Sequence, residues 1–416
     1  MTRFIDQTLT HEDAVALART HIERGALHES PDVPRQVGLE LEFHLVNLGC
    51  PAERPSWEAV TGLLESLPPM PSGSSVTCEP GGQIELSTPP AVGVAASVAA
   101  LQADRDALRT ALHAAGYGAA PIGADPARVP ARVNPNPRYA AMQRHFDAVG
   151  CLDHGTAMMT ATAALQVNLD AGPVAGWTER MHLAHALGPV LVAVSANSPY
   201  LGGRASGWAS MRQEAWHGID HGRSDPVEGA DPAVAWADYA LRAPVMLVRG
   251  EDGSAAPLTE RVSFEAWLRG DAPIARRPDE ADLDYHLTTL FPPVRPRGYV
   301  EVRCIDALPD AWWPALAAFT ATLLDAPAAA KAAAVALRPV RNAWLAAAHE
   351  GLRDPAVLSA ARTCTALAVE HADPASRPAL DRLAELVDSG RSPGDELRRR
   401  IDAAGPLTVL GEEARA

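Results

Sequence analysis

The stretch Val37-Gly38-Leu39-Glu40-Leu41-Glu42-Phe43 decides how this 416-residue chain is read. Successive side chains of a β-strand point to opposite faces, so Val37, Leu39, Leu41 and Phe43 share one face and Glu40 and Glu42 the other. The two carboxylates then stand roughly 6–7 Å apart along the strand. When both are ionised they repel by about 2–3 kcal/mol at an effective dielectric of roughly 20. An open surface tolerates that repulsion. A half-buried sheet face tolerates it far better when a hard cation lies between the acids. Glu40 and Glu42 are therefore a candidate magnesium site, the alternative being an exposed acidic face.

The same alternation recurs. Gln83-Ile84-Glu85-Leu86-Ser87 repeats it, with Glu79 just upstream at a turn made of Pro80, Gly81 and Gly82. Leu165-Gln166-Val167-Asn168-Leu169-Asp170 and Tyr299-Val300-Glu301-Val302-Arg303-Cys304-Ile305-Asp306 repeat it again. Ordinary half-exposed strands carry Thr, Ser, Lys and mixed charge on the wet side. Here that side is Glu, Gln, Asn, Asp and Arg. The pattern predicts one antiparallel sheet with an apolar face on the core and a polar face lining a cation-binding cavity. Glu79 and Glu85 form a second acidic pair, and Gln166 and Asn168 are ligand or substrate contacts unless they form a cross-strand amide ladder. Glu301 and Arg303 share a face. On a surface they would be a salt bridge of little worth. In a phosphoryl-transfer site the glutamate would hold a metal and the arginine would neutralise the moving phosphate.

Composition narrows the function classes. The net charge is −15, which argues against binding nucleic acid or an anionic membrane. Lys331 is the only lysine, so no Gly-x-x-x-x-Gly-Lys phosphate loop exists and any bound phosphate must be met by arginine and metal. Gly-x-Ser-x-Gly and Gly-x-Gly-x-x-Gly are absent too, which removes the serine-hydrolase elbow and the dinucleotide fold. The five cysteines, Cys50, Cys78, Cys151, Cys304 and Cys364, include no Cys-x-x-Cys pair, which suggests a reducing compartment and no cysteine zinc site. The first residues have no apolar signal core and no apolar run approaches a membrane span, so a cytoplasmic protein is expected.

Between the strands, periodicity predicts helices over residues 10–27, 57–67, 92–115, 138–146, 176–195 and 208–216. A polar loop through Pro31 and Pro34 precedes the first strand, and a Pro- and Arg-rich loop from Asp125 to Pro137 carries Arg128 and Arg132. After Asp306, alanine and leucine dominate with helical spacing. The expected organisation is a catalytic domain over 1–306 and a helical region over 307–416 packed on the same domain, in which no chemistry is read.

Arg212, Arg223, Arg295 and Arg297 are further anion-binding candidates, against the alternative of solvated arginines. His182 and His185 at i, i+3, and His217 and His221 at i, i+4, have a spacing that can hold a metal on a helix. No carboxylate is placed as in His-Glu-x-x-His and Gly218 interrupts the second pair, so metal is not expected at either. His286 is a candidate cavity residue.

Taken together, Gly38-Leu39-Glu40-Leu41-Glu42, Glu79-Pro80-Gly81-Gly82-Gln83-Ile84-Glu85-Leu86-Ser87, Gln166-Val167-Asn168-Leu169-Asp170, Ser195-Ala196-Asn197-Ser198-Pro199 and Tyr299-Val300-Glu301-Val302-Arg303 occur in an order that resembles the glutamate–cysteine ligases of the plant and proteobacterial type. Within them the chain is most similar to the actinobacterial branch that supplies γ-glutamylcysteine to ergothioneine synthesis. The resemblance covers roughly residues 10–306. It implies an α+β fold like the glutamine synthetase catalytic domain, a curved antiparallel sheet wrapped by helices. It implies ATP, Mg2+, L-glutamate and L-cysteine as ligands, and a γ-glutamyl phosphate attacked by the amine of cysteine. It also implies that Glu40, Glu42, Glu79, Glu85 and Glu301 bind metal, with Gln166 falling where some relatives place a metal-binding histidine. Arg303 would meet the phosphoryl group and act with Glu301 in catalysis. Arg212 would meet the glutamate carboxylate. Arg223, Arg138 and Tyr139 are the remaining substrate-binding candidates, and Arg297 and Asn168 the nucleotide-binding ones.

Three rivals stay open: a sister ligase joining glutamate to another amine, a metal-dependent binding module without turnover, and a metallohydrolase that needs no ATP.

Overall fold

The computed structural model describes residues 9–23, 27–28, 35–250 and 254–416. Residues 24–26 of the helix expected over 10–27, Gly25 among them, and the loop through Pro31 and Pro34 lie outside the described residues. The architecture is α+β, built on an eight-stranded sheet. In chain order its strands are β1 (Gln36–Asn47), β2 (Ser75–Cys78), β3 (Ile84–Ser87), β4 (Ala91–Val92), β5 (Tyr117–Ala120), β6 (Ala164–Asp170), β7 (Val294–Pro296) and β8 (Tyr299–Asp306). The lateral order is β7-β8-β6-β1-β3-β2, and the short β4 and β5 pair with the two ends of the long β1. Every pairing in this sheet is antiparallel. Pro296 sits on the edge strand β7, where a residue without an N–H costs no ladder bond.

The apolar alternation does what the period of two demands. Val37, Leu39, Leu41 and Phe43 are all buried, and so are Ile84, Leu86, Leu165, Val167, Leu169, Val300 and Val302. Helices α1 (Val94–Ala114), α3 (Trp177–Ser195) and α5 (Trp313–Asp325) pack against β1, β8 and β6 respectively. Two further helices reach the site, α2 (Pro137–Ala148) and α4 (Met211–His217). The expected helix over 176–195 is α3, and from Leu187 to Ser195 every one of its residues is buried, not one face only. This helix is sandwiched between β8 and the helices Trp344–Glu350 and Pro355–His371. Gly188 permits the closest approach, since a Cβ there would fall 1.8 Å from the Trp344 ring. One hydrophobic core thus runs from the sheet into the C-terminal helices, including Leu316, Phe319, Val357 and Leu383. Alanine-rich 312–337 is two helices, not one, broken where Pro327 starts the second. Among the described residues no helix is long and apolar enough to cross a membrane.

One irregularity positions the site. The pairing of β8 with β6 is regular from Tyr299 to Val302, then shifts register before Ile305. A bulge of this kind frees backbone groups from the ladder. The carbonyls of Arg303 and Cys304 accept instead from Arg212 Nη2 (2.8 Å) and Gln213 Nε2 (2.9 Å), which fastens α4 to the sheet.

Candidate functional site

Register brings the polar side chains together. Glu42 lies directly opposite Glu85, Glu40 opposite Gln166, Glu301 opposite Asn168, and Arg295 opposite Glu301. Glu79 reaches the same group from the β2–β3 turn. Its N–H donates to the Gln83 carbonyl (2.8 Å) and its carbonyl accepts from Gly82 N–H (3.0 Å), with Gly82 at φ +82°. Gly82 supplies the left-handed backbone that this turn needs. Gly81 is required for a different reason, because a Cβ there would lie 2.2 Å from the Thr160 carbonyl oxygen.

Hydrogen bonds fix the carboxylates. Glu40 Oε1 accepts from Asn168 Nδ2 (2.8 Å), Glu42 Oε1 from Gln166 Nε2 (3.2 Å), and Glu42 Oε2 from Ala164 N–H (2.9 Å). Glu85 Oε1 accepts from Thr77 Oγ1 and Ser87 Oγ, each at 3.0 Å. Gln166 also accepts from Arg303 Nη1 (2.8 Å). Both ends of its amide are thus engaged, so Gln166 bridges Glu42 to Arg303. Glu301 is buried and doubly held: Arg295 Nη2 and Arg303 Nη1 each donate to its Oε1 at 3.0 Å. The same-face Glu301–Arg303 pair is therefore a buried ion pair, shared with Arg295.

The electrostatics separate these acids into two kinds. Burial, then the charges of Glu85 and Glu301, raise the Glu40 pKa above the usual carboxylate range. Burial and Glu85 push Glu42 up to about 7, and burial with Glu42 and Glu85 pushes Glu79 up to about 8. Glu301 goes the other way. Burial alone would raise it, but the guanidiniums of Arg303 and Arg295 outweigh that and hold it at about 2. A group of acids that resists full ionisation is one that lacks positive charge, and an oxygen-only donor set of this kind suits a hard divalent cation such as Mg2+. The acids are not closed around a single point. Among the described residues, the only group of three or more His, Cys, Asp or Glu whose ligand atoms all lie within 4.8 Å of one another is His217, His221 and Asp225. Mg2+ commonly takes one or two carboxylates plus substrate phosphates, which is compatible with spread acids.

The cationic side of the site is centred on α4. Ser210 caps this helix by accepting from Gln213 N–H. Arg212 is buried, with Nη2 on the Arg303 carbonyl and with Nε and Nη1 buried without any hydrogen-bond partner. Arg303 Nε, Asn168 Oδ1 and Trp216 Nε1 are likewise buried and unpartnered. Buried polar atoms are nearly always satisfied, so such a set around one face is the mark of a polar ligand. The Trp216 ring lies 5.4 Å from the Arg212 guanidinium carbon and 5.8 Å from that of Arg303. Sequence reasoning missed Trp216. Its only signal is its place one helical turn after Arg212.

Other predicted residues fall elsewhere. Arg223 is fully buried, and its guanidinium donates to Asp220, to the Thr289 carbonyl (3.0 Å) and to the Pro244 carbonyl. Its donors tie loops together, and the structure does not bring it to the acidic face. His286 is buried, stacked on Phe264 at 5.0 Å and hydrogen-bonded to the Ala240 carbonyl, so it does not line the cavity. Arg128 is bound by Asp125 (2.7 Å), which also holds Arg54 (3.3 Å) inside the long loop. Arg138 and Tyr139 open α2. Arg138 donates to Thr288 Oγ1 (2.8 Å) and lies over the Tyr285 ring at 4.7 Å. Tyr139 is raised in pKa by burial and by the nearby Glu79, which puts it beside the acids. Arg297 is exposed, and with Thr288, Arg295 and Pro296 it lines a cavity of about 250 Å3 at the sheet edge.

Residues 36–414 match the protein family described as Glutamate-cysteine ligase family 2 (GCS2). The chain is 50% identical over 402 residues to the glutamate–cysteine ligase EgtA of Mycolicibacterium smegmatis, covering 96% of this chain and 94% of that one. It is 48% identical over 410 residues to the EgtA of Mycobacterium tuberculosis H37Rv, covering 97% and 94%. Among solved structures it is similar to a glutamate–cysteine ligase of Francisella tularensis in complex with AMP, with TM-score 0.58 and 13% identity over 93% of this chain and 89% of the other, a likeness of fold.

Proposed function

The chain belongs to glutamate-cysteine ligase family 2, and from that premise we propose that it joins the γ-carboxyl of L-glutamate to the amine of L-cysteine at the expense of ATP. The product, γ-glutamylcysteine, then serves ergothioneine synthesis, as the sequence resemblance implies. The observation that carries this reading is the buried Arg212, with two unpartnered donors, set beside a sheet face crowded with carboxylates.

In the reaction, an oxygen of the glutamate γ-carboxylate bonds to the γ-phosphorus of ATP and the bond to ADP breaks. The cysteine nitrogen then bonds to the acyl carbon, phosphate leaves, and the nitrogen gives up a proton. Arg212 binds the glutamate carboxylate through its free Nε and Nη1, a charge-assisted contact. Arg303, kept protonated by Glu301, Glu40 and Glu42 against the penalty of burial, presents its free Nε to the moving phosphoryl group. Trp216 holds both guanidiniums in place. Arg295 and Arg303 keep Glu301 ionised, which fixes the angle at which Arg303 meets its ligand. Glu40, Glu42, Glu79 and Glu85 hold Mg2+, which when bound supplies charge neutralisation of the triphosphate. Asn168 and Gln166 orient Glu40 and Glu42 for that purpose. The cavity beside Arg295 and Arg297 adjoins this face and suits the anionic nucleotide. Arg138, hydrogen-bonded to Thr288 of that cavity, and Tyr139 beside Glu79 are the further substrate contacts. The helices after Asp306 form one domain with the sheet, sharing its core.

The test is mass detection of γ-glutamylcysteine from glutamate, cysteine and Mg-ATP, with ADP release scored in parallel over a panel of amines. Release of ADP that follows another amine in preference to cysteine would move the protein to a sister ligase. Hydrolysis without ATP would remove the ligase reading altogether.

A further inference from the structure

The helix that carries Arg212 and Trp216 ends at His217. After the Gly218–Asp220 turn, a second short helix begins at His221, and Asp225 follows its last residue. One ligand atom from each of His217, His221 and Asp225 lies within 4.8 Å of the other two. The imidazole rings of His217 and His221 have centroids 4.7 Å apart, and His221 Nδ1 is 3.3 Å from Asp225 Oδ1. His217 and Asp225 also share a small cavity of about 50 Å3 walled by Trp216, Pro293 and Trp344. A water occupies about 30 Å3 in the liquid, so this space has the size of an ion with its remaining hydration on one side.

We infer that His217, His221 and Asp225 form a binding site for a single imidazole-preferring divalent ion, of which Zn2+ is the natural occupant, separate in donor chemistry from the carboxylate face. Two imidazoles and one carboxylate are a nitrogen-rich set. Such a set favours Zn2+ or Co2+ over Mg2+, which holds to oxygen ligands. Three protein ligands leave a fourth position open toward the cavity. The interruption at Gly218, which argues against a single-helix site, is what lets the chain turn and bring the third ligand back. Nearby charges favour a cation on balance, since Glu228 stands beside Asp225 on a neighbouring cavity with Arg242 as the one guanidinium there. An ion at this point ties the C-terminal end of α4 to the segment after it. It therefore stiffens the helix whose other end is fastened to the bulge of β8.

The probe is Co2+ alone, titrated into the untagged full chain in an excess of Mg2+ that saturates oxygen-only sites. One Co2+ per chain is expected, with visible absorption bands that Zn2+ abolishes. His221→Ala and Asp225→Asn, both in an exposed part of the cluster, should each weaken binding by more than the roughly 10-fold that losing even a supporting hydrogen bond costs a metal site. His11→Ala, at an exposed histidine on the first helix, should leave it unchanged. Far-UV circular dichroism checks that each variant is folded. Absence of Co2+ bands in the wild-type chain, or equal affinity in the folded His221→Ala and Asp225→Asn variants, would overturn the site. Because the readout is metal binding without substrates, its failure is distinguishable from a failure of the ligase reading.

Discussion

Glu42 and Glu85 face each other directly across the pairing of β1 and β3. Like charges opposite one another destabilise a sheet, and the chain retains the arrangement on a half-buried surface where Glu42 and Glu79 are both pushed into the neutral range. The cation proposed for this face would relieve the conflict. Glu85→Gln should therefore raise the stability of the Mg2+-free protein by about 0.5–1 kcal/mol while reducing the extra stability that Mg-ATP confers. Urea midpoints with and without Mg-ATP check both halves. A Glu85→Gln variant less stable than wild type without metal would show that Thr77 and Ser87 already neutralise the strain.

Glu40 offers the cleanest test of the metal face. It accepts one bond from Asn168 and is otherwise free to bind. Glu40→Ala should keep the fold, at a cost of about 1 kcal/mol for the lost Asn168 partner, and should reduce ADP release by two orders of magnitude or so. Near-normal ADP release from a folded variant would contradict a role in holding the metal.

Arg303→Lys keeps the charge and removes the fork. The wild-type guanidinium bonds Gln166 and Glu301 through Nη1 and still has Nε free. An ammonium cannot meet three positions in one plane. Loss of kcat with little change in the melting temperature is the expected outcome, and wild-type turnover would remove Arg303 from contact with the phosphoryl group.

Arg223→Lys should behave in the opposite manner. Its bonds run to Asp220, Thr289 and Pro244, so the substitution should lower stability by a few kcal/mol, as breaking a buried charged network does. The KM for glutamate should not move in the folded fraction. A raised KM with unchanged stability would restore Arg223 to the substrate pocket.

Acid should unfold the protein early. Burial pushes His44 and His145 down to about 4 and His286 down to about 3. In the unfolded chain each takes up its proton near pH 6.5. Between about pH 6.5 and 4.5 the unfolded state holds more protons at these three histidines and at His185, also pushed down to about 4, and fewer at Glu42 and Glu79, so the net excess is about two protons and stability falls with pH by roughly 3 kcal/mol per unit at most. Urea midpoints from pH 7 to 4 measure the slope. His286→Gln should make it shallower, and an unchanged slope would exclude His286 as a contributor.

Much of the sheet was legible because a period of two is hard to disguise. Leu39, Leu41 and Val167 could only be core, and the acids between them could only share a face. What a strand pattern does not encode is who receives a side chain. Arg223 looks the same in sequence whether it meets a ligand or its own backbone, and only the Thr289 and Pro244 carbonyls decide. Gln166 read as a ligand contact, but its two ends are engaged by Glu42 and Arg303, which a single strand cannot reveal. The helix Leu152–Ala161, between the expected helix over 138–146 and strand β6, escaped because its buried residues, Met158, Met159 and Gly155 among them, are small or unbranched and show no stripe. Asp225 has no metal-ligand spacing to His217 within one helix, and only the turn after Gly218 brings its carboxylate beside the two imidazoles.

The register shift between Val302 and Ile305 reaches beyond its two residues. Upstream of it, Glu301 keeps the alternation that sets it opposite Asn168 on the acidic face. Downstream, Asp306 is turned into the interior, where it accepts from Asn197 N–H and from the hydroxyls of Ser198 and Ser210. The extra residue thus acts as a phase adjuster between two halves of one strand that answer to different surroundings. Trimming β8 by a single amino acid at this point would close the bulge while leaving Ile305 opposite Leu165 and Asp306 opposite Ala164, and would take away a freed carbonyl that Arg212 or Gln213 now holds. The length of that strand is consequently far less free to drift than its composition.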